Sequence, residues 1–254
     1  MTIKLVSDLH LEQEENKHYL AENLFSTEGD ILILAGDITY LERIDNDFEK
    51  ILFKYLSDNY DQVFYLPGNK EFHGLTNLKP YSGEVFEKIH SNFFLINNKA
   101  VEIGKIKLIF STLWTFIRPH NAMLINKTVS DFREIIFDEN LDFSIDINNQ
   151  LNINAIEFID RETRDDDKIK IVITHHAPSQ HCANDEYDAS QLIDAYMNNL
   201  DEMIMAKDIS YWLYGHTHFN KQLTIGSTTV ISNQLGLAKF KEYENFNPDL
   251  LIEI

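Results

Sequence analysis

Five short apolar runs in this 254-residue chain are each followed at once by polar residues that can bind a metal ion. Apolar runs this short are typical of strands that are buried on both faces of a sheet. In open α/β sheets, ligands bind just beyond the carboxyl ends of the strands. We therefore expect the five strand ends to converge on one cleft. The residues after the runs are Asp8 and His10, then Asp37, then Asn69, then His175, and last His216 and His218.

The apolar runs and the stretches between them predict an α/β sandwich, because strands alternate with helices. Phe48, Ile51, Leu52, Tyr55 and Leu56 have the spacing of the apolar face of a helix. Helices are also predicted over residues 146–163 and 188–206. The predicted strands are 3–6, 31–34, 63–66, 107–110, 169–173 and 211–214, and a hairpin turn is predicted at 225–228.

The domain organisation follows from what lies between these elements. No repeat, low-complexity tract or linker rich in proline and glycine interrupts the chain, so we predict a single domain over residues 1–254. The segment from Trp114 to Asp146 has no clear hydrophobic period. We predict that this segment forms a long loop or a partial cap.

The candidate ligands are carboxylate, imidazole and amide groups without a thiolate, a donor set that suits Mn, Fe or Zn ions. Asp8 and His10 are two residues apart, as are His216 and His218, which places each pair on one side of an extended segment. An aspartate such as Asp37 can bridge two ions. Two ions about 3.5–4 Å apart clamp a phosphoryl oxygen and activate a water molecule near neutral pH.

Glycines precede three of the candidate ligands. The chain has 9 glycines, and Gly36, Gly68 and Gly215 each stand directly before one of these ligands. Glycine permits a tight turn and a close approach of the backbone to an ion or a phosphate. Taken singly, each motif has an ordinary structural interpretation; Asn69, for example, suits a turn cap. The ordered set is what favours a metal centre.

In order and spacing, the set resembles the motifs of the calcineurin-like metallophosphoesterase superfamily. The resemblance spans residues 8 to 218, and the tail is similar to that of small bacterial members. It implies an α/β fold, a four-layer sandwich of two mixed β-sheets flanked by helices. The matching motifs are Asp8-Leu9-His10, Gly36-Asp37, Gly68-Asn69-Lys70-Glu71, His175 and Gly215-His216-Thr217-His218.

The resemblance also implies how two divalent metal ions share the ligands. In the adjacent pair His175 and His176, the family's ligand directly follows the strand, which favours His175 and leaves His176 beside the site. Asp37 would bridge the two ions. One ion would take Asp8, His10, Asp37 and His218, and the other would take Asp37, Asn69, His175 and His216.

One residue departs from the family pattern. Members of the family have histidine after Gly-Asn, where it is thought to protonate the leaving group or to steady the phosphate, but this chain has Lys70. A lysine ammonium group is a poor general acid at pH 7. Lys70 is then an electrostatic clamp for phosphate, or another histidine supplies the proton, or catalysis is lost and binding remains. The other histidines considered are His73, His120, His176 and His181.

Two functional hypotheses result. The first is a metal-dependent phosphohydrolase that cleaves a phosphate mono- or diester by attack of a metal-bound hydroxide, with catalytic roles for Asp37, Lys70 and His176. The second is a non-catalytic scaffold of the same fold that binds metal or a partner protein, since the usual histidine is replaced by Lys70.

Charge and composition narrow the partners and the location. The chain has 22 Lys plus Arg and 41 Asp plus Glu, a formal net charge of −19. Such a field repels nucleic acid and anionic membranes, so a nuclease is disfavoured and a small phosphate ester is the expected substrate. The single cysteine, Cys182, is expected to be inert. With no leader segment and no apolar run of membrane length, we expect a cytoplasmic protein.

Overall fold

A computed structural model describes residues 1–164, 167–183 and 191–254 of the chain. Strands and helices alternate over residues 2–66 and 141–214, and several strands follow one another elsewhere. The strands are β1 Thr2–Val6, β2 Ile31–Ala35, β3 Gln62–Leu66, β4 Val85–His90, β5 Phe93–Asn97, β6 Lys99–Ile103, β7 Ile106–Ser111, β8 Ile136–Asp138, β9 Leu141–Asp142, β10 Ile169–Thr174, β11 Tyr211–Tyr214, β12 Gln222–Ile225, β13 Thr228–Ser232 and β14 Leu251–Glu253. The helices are α1 Glu14–Glu22, α2 Asp47–Asn59, α3 Pro119–Thr128, α4 Asp131–Glu134, α5 Ile145–Glu162 and α6 Asp201–Met205.

Two mixed six-stranded sheets form the frame. The first has the order β14-β1-β2-β3-β5-β4, in which β1, β2, β3 and β5 are parallel and the two edge strands are antiparallel. The second has the order β12-β13-β11-β10-β7-β6, again with four parallel central strands and antiparallel edges. Because the central strands are parallel, their carboxyl ends lie along one edge of each sheet. Strands β8 and β9 form a separate ribbon.

The composition of the central strands explains their position between two layers. Strand β2 reads Ile-Leu-Ile-Leu-Ala and is buried along its whole length, and β10 is buried from its second residue onward. Successive side chains of a strand point to opposite faces, so a strand that is apolar throughout must be covered on both faces.

The inner faces of the two sheets pack against each other in one apolar cluster. Ile33 and Phe64 of the first sheet share this cluster with Phe110, Ile173 and Leu213 of the second. The sheets therefore bury each other's inner surfaces, which is the main driving force for bringing the two sets of strand ends together.

Helices cover the two outer faces. Leu20 of α1 and Phe53 of α2 pack in one cluster with Tyr65 of the first sheet. Phe158 of α5 and Ile204 of α6 pack with Trp212 of the second sheet. The resulting order of layers is helix, sheet, sheet, helix, so the predicted four-layer sandwich is confirmed. No helix in the described ranges combines the length and apolar character needed to span a bilayer.

The predicted local structure is mostly confirmed. All six predicted strands are present, and the predicted hairpin turn joins β12 to β13. The helix predicted from Phe48 to Leu56 lies within α2, and the one predicted over 146–163 is α5. Ser144 caps α5, because its hydroxyl accepts a hydrogen bond from the Ile147 amide at 3.3 Å.

For the segment from Trp114 to Asp146, predicted as a long loop or a partial cap, the long-loop alternative is wrong. The segment contains α3, α4 and the β8–β9 ribbon. These elements are short and partly exposed, and their buried positions, such as Ile125 and Asp131, are scattered. No hydrophobic period arises from such a pattern, because tertiary contacts rather than an amphipathic face hold the helices.

The prediction of a helix over 188–206 is also wrong for residues 191–206. Residues 188–190 lie outside the described residues. The remainder holds one short helical turn at 193–195 and the five-residue α6. Between these two, the Asn198 amide donates to the Ala177 carbonyl and the Leu200 amide to the Pro178 carbonyl. This part of the backbone therefore pairs with the chain that follows β10.

Candidate metal centre

The loops after five parallel strands meet at one side of the sandwich. They follow β1, β2 and β3 of the first sheet and β10 and β11 of the second. These loops carry all seven side chains that the sequence predicted as ligands. Two groups of three have ligand atoms within 4.8 Å of one another, and these are Asp8, His10 and His218, and Asp37, His175 and His216.

The first group joins the β1 loop to the β11 loop. The Nε2 atoms of His10 and His218 are 2.9 Å apart, and His218 Nε2 is 3.5 Å from Asp8 Oδ1. The backbone amide of His216 donates to both carboxylate oxygens of Asp8, at 3.0 and 3.1 Å. The two sheets are thus tied together at this group.

The second group joins the β2 and β3 loops to the second sheet. His175 Nε2 lies 3.2 Å from Asp37 Oδ1, 3.2 Å from His216 Nδ1 and 3.1 Å from Asn69 Oδ1. Four potential ligand atoms from four loops therefore face a common point. Asn69 therefore lies beside the second group.

Asp37 lies between the two groups. Its Oδ1 faces His175, while its Oδ2 is 3.9 Å from His10 Nε2. The backbone amide of Lys70 donates to Asp37 Oδ1 at 2.8 Å, which holds the carboxylate in this orientation. One carboxylate thus presents an oxygen to each group.

Most of these residues have unusual backbone angles. Asp8, His10, Asp37, His216 and His218 have φ values of 55°, 47°, 55°, 75° and 51°. The left-handed region costs energy for residues with a Cβ, and such residues cluster at functional sites. Loop hydrogen bonds offset the cost, including Asp8 N to the Gly36 carbonyl and His10 N to the Asp37 carbonyl.

The three predicted glycines are needed for close packing. A Cβ on Gly215 would lie 2.7 Å from Asp8 Oδ2, and one on Gly68 would lie 2.6 Å from His175 Nε2. A Cβ on Gly36 would overlap the His175 ring. Any other residue would push the candidate ligands apart, so the glycines fix the spacing between the loops.

Carboxylates lie behind the histidines of the first group. Glu12 Oε1 is 2.9 Å from His10 Nδ1, and Glu242 Oε2 is 2.6 Å from His218 Nδ1. Each carboxylate accepts the Nδ1 hydrogen, so the Nε2 lone pair faces the centre. The pairing orients the rings and makes the imidazoles stronger donors.

Backbone carbonyls have this role for the second group. His175 Nδ1 is 2.9 Å from the Ala35 carbonyl, and His216 Nε2 is 3.3 Å from the Ala195 carbonyl. His175 therefore presents Nε2 and His216 presents Nδ1 to the centre. In each group, two imidazole lone pairs face each other. Lone pairs this close are stable only with a positive charge between them. The residues therefore fit bound cations.

The pKa shifts of the site reflect the same need for positive charge. Burial opposes ionisation of His218, but Asp8 and Glu242 raise its pKa to about 10. Burial likewise opposes ionisation of Asp37, yet His175 holds the pKa of Asp37 well below its usual range. The low pKa keeps the Asp37 carboxylate ionised, and the raised pKa of His218 shows that the carboxylates beside its ring stabilise positive charge there.

Glu71 connects the loops that follow β2 and β3. It accepts hydrogen bonds from the amides of Asp37 and Ile38 at 3.0 and 2.7 Å, from the Gly68 amide at 2.7 Å and from the Tyr65 hydroxyl at 2.6 Å. With two donors on each oxygen, the buried carboxylate fixes the β2 and β3 loops relative to each other.

Lys70 and the candidate proton donors occupy different positions. Lys70 lines the cleft, with Nζ 3.4 Å from Ser130 Oγ. His176 is buried, its ring centroid is 4.2 Å from that of His216, and burial and then His175 lower its pKa to about 4. His73 is also buried, whereas His120 and His181 are exposed.

The cleft beside the donor groups has a volume of about 320 Å³. One wall comes from the segment after α3 and another from the turn at 193–195 and the β11 loop. The lining residues are Asp37, Asn69, Lys70, Thr128, Val129, Ser130, Asp131, Ala195, Tyr196, His216, Thr217, His218 and Glu242.

Sequence reasoning missed three acidic residues of the site: Glu12, Glu242 and Asp131. Glu12 could have been found from the sequence, because it is only two residues from His10. Glu242 and Asp131 had none, since each reaches the site only through the tertiary fold.

Comparison with known proteins agrees with this geometry. The family model described as calcineurin-like phosphoesterase matches residues 1–220. An uncharacterised protein of Acanthamoeba polyphaga mimivirus is 31% identical over an alignment of 280 residues, which covers 99% of this chain and 96% of that protein.

Two solved structures are similar in fold. A phosphopantetheinyl hydrolase from Mycobacterium tuberculosis superposes with a TM-score of 0.68 and 15% identity, covering 96% of this chain and 92% of that one. The anchor in the inner membrane complex of Plasmodium gives a TM-score of 0.51 and 11% identity, covering 94% of this chain and 72% of that one. At these identities the likeness concerns the fold alone.

Proposed function

The chain belongs to the calcineurin-like phosphoesterase family, and from this premise we propose that it is a metal-dependent phosphohydrolase. It would cleave a phosphate mono- or diester at a centre of two divalent ions. One observation carries the proposal: two donor groups meet at Asp37, one through His10 and one through His175, beside a cleft that can admit a small substrate.

We assign four protein ligands to each ion. The convergence of imidazole lone pairs supports this assignment, and the two orientations of the Asp37 oxygens support a bridge. The donor set of oxygen and nitrogen supports Mn, Fe or Zn as the metals. The first ion would be held by Asp8, His10, Asp37 and His218, and the second by Asp37, Asn69, His175 and His216.

When bound, the ions would supply Lewis-acid polarisation of the phosphoryl group and a water nucleophile near neutral pH. The chain supplies orientation and charge. Lys70 extends into the cleft beside the donor groups, where its ammonium group would bind a phosphoryl oxygen and offset the charge that develops there. His176 would act by fixing the ring of His216, against which it packs.

We further propose a small phosphate ester as the substrate, and not nucleic acid. The cleft of about 320 Å³ supports a compact ligand. The net charge of −19 opposes the binding of a polyanion but not of a small phosphate ester, because bound cations reverse the sign of the field within the cleft.

The test is hydrolysis of bis(p-nitrophenyl) phosphate by the purified protein with Mn²⁺, with metal content measured in parallel. The nitrophenolate leaving group needs little protonation, so the reaction tests the metal centre without requiring an acid at position 70. We expect turnover by the wild type and none by Asp37→Asn. Asp45→Asn, on an exposed residue, is the control. Equal rates for Asp37→Asn and the wild type would show that the two-metal assignment is wrong.

The alternative function is a scaffold of the same fold that binds metal or a partner protein. The observation that favours it is the lysine at position 70 of the Gly-Asn motif. A protein that is folded, binds two ions and hydrolyses neither bis(p-nitrophenyl) phosphate nor p-nitrophenyl phosphate would establish the scaffold as the better description.

A further inference from the structure

The side-chain amide of Asn69 has its two ends in opposite environments. Its Oδ1 lies 3.1 Å from His175 Nε2, within the second donor group. Its Nδ2 lies 3.0 and 3.2 Å from the two carboxylate oxygens of Asp131, a residue of α4. Asn69 and Asp131 are both buried, at 3% and 7% exposure, so water does not replace these partners.

Only one of the two amide orientations can ligate a cation. An amide has an acceptor oxygen at one end and an NH₂ donor at the other. If the amide of Asn69 were rotated by half a turn, the NH₂ group would face the donor group and the oxygen would face a carboxylate. Asp131 accepts hydrogen bonds and, when ionised, donates none, so it selects the orientation that directs the Asn69 oxygen toward His175.

Asp131 is itself held from the opposite side. His73 Nε2 lies 2.8 Å from Asp131 Oδ1, and His73 Nδ1 lies 3.1 Å from Glu134 Oε2. His73 is 1% exposed. The backbone amide of Leu75 donates to the Glu134 carbonyl at 2.9 Å, which joins the chain after β3 to α4. The Asp131 carboxylate therefore has a fixed position relative to Asn69.

The residue before Asp131 contacts the residue after Asn69. Ser130 Oγ is 3.4 Å from Lys70 Nζ, so two successive residues at the start of α4 face two successive residues of the β3 loop. The segment that the sequence predicted as a loop or cap thus contacts both Asn69 and the Lys70 ammonium group through two adjacent residues.

We propose that Asp131 is a positioning residue that holds the Asn69 amide in its metal-binding orientation, and this inference rests on the proposed two-metal function. The segment from α3 to β9 supplies no ligand by itself. Through Asp131 it sets the affinity of the second ion, and through Ser130 it sets the place of the Lys70 ammonium group.

The test is a calorimetric titration in which Mn²⁺ is added to the metal-free wild type and to each metal-free variant. Loss of a group behind a metal ligand typically weakens metal binding by about 10- to 100-fold. We expect a loss of this size for one of the two ions in Asp131→Ala. A smaller loss is expected for Asp131→Asn, since the substituted amide keeps one acceptor oxygen. Asp142→Asn, on an exposed residue of β9, is the matched control and should bind like the wild type.

A double-mutant cycle with Asn69→Ala separates positioning from general destabilisation. If Asp131 acts through Asn69, the effect of Asp131→Ala on Mn²⁺ affinity should vanish when Asn69→Ala is already present. Fully additive effects, or an unchanged affinity in Asp131→Ala, would overturn the proposal. If Asp131→Ala does not fold, as judged by thermal melting, the same cycle is run with Asp131→Asn. A wild type that binds no Mn²⁺ would instead refute the proposed function itself.

Discussion

Glu242 and His218 form a close pair, with Oε2 of the glutamate 2.6 Å from Nδ1 of the imidazole. The same oxygen accepts a hydrogen bond from the Leu237 amide at 2.6 Å. Glu242 lies beyond residues 1–220, which carry the family match. The C-terminal part of the chain therefore contributes to the candidate metal centre, although the motifs of the family end before it.

We expect Glu242→Gln to weaken binding of the first ion by about 10- to 100-fold, because the amide orients the His218 ring but no longer supplies negative charge behind it. Mn²⁺ titration by calorimetry measures the loss. Glu244→Gln, two residues away on an exposed position, is the control and should have wild-type affinity. Equal affinities in the two variants would mean that Glu242 is not needed for metal binding.

We expect Gly68→Ala to abolish binding of the second ion. The added methyl group would lie 2.6 Å from His175 Nε2 and overlap the Asp37 carboxylate, so these ligands must separate. Overpacking of this kind also costs about 1–3 kcal/mol of unfolding free energy. Gly83→Ala is the control, because a Cβ there has no neighbour within 4 Å. Metal content and thermal melting of both variants check the prediction, and a Gly68→Ala protein with two bound ions would contradict it.

The candidate ligands could be located from sequence because each is local: an apolar strand ends and the next residues carry the donor. Asp8 and His10 need only the end of β1 to be recognised. Both have positive φ values, so the predicted extended segment with alternating side chains is wrong. Their partners are different in kind. Asn69 and Asp131 are 62 residues apart, and His218 and Glu242 are 24 apart, so their contacts depend on how whole segments pack.

The same distinction applies to the fold. Most central strands are apolar on both faces and are recognisable as short runs, although β5 was not among the predicted strands. The edge strand β4 has exposed residues at three successive positions, Phe86 to Lys88, and β6 is partly exposed throughout. Their sequences resemble those of loops, so these strands are defined by pairing with a neighbour and not by their own composition.

We expect Lys70→Met to lower kcat/KM for bis(p-nitrophenyl) phosphate by about 10- to 100-fold, the size of a lost hydrogen bond to a charged group. Lys70→Arg should recover much of the activity, since it keeps the positive charge beside the cleft. Lys88→Met, on an exposed residue of β4, is the control. If Lys70→Met matches the wild type, Lys70 is not a phosphate clamp.

We expect Mn²⁺ to stabilise the folded chain, because ligands that bind only the folded state add to its stability. At a free concentration of 100 times the dissociation constant, the gain is about 2.7 kcal/mol. For a chain of this size that corresponds to a rise in Tm of about 5–10 °C. EDTA should reverse the rise, and Asp37→Asn should show little of it. A Tm that is the same with Mn²⁺ and with EDTA would contradict the proposed centre.

We expect the Cys182 thiol to be unreactive in the folded protein. The side chain is fully buried, and burial raises the pKa of the thiol to about 11. The thiolate is the reactive form, so at pH 8 the folded chain should not react with Ellman's reagent, whereas one thiol per chain should react in guanidinium chloride. Rapid stoichiometric reaction of the native protein would contradict this.

The same shift predicts a loss of stability at alkaline pH that depends on Cys182. The folded-state pKa is raised above the unfolded value of about 8.5, so the folded chain retains a proton that the unfolded chain releases. The contribution of Cys182 to the free energy of unfolding is complete below about pH 8.5 and is lost as pH rises toward about 11. Urea unfolding of the wild type at pH 7.5 and pH 10, compared with Cys182→Ala, measures the difference. The variant should lose less stability over this interval than the wild type, and an identical loss in both proteins would assign the pH dependence to other groups.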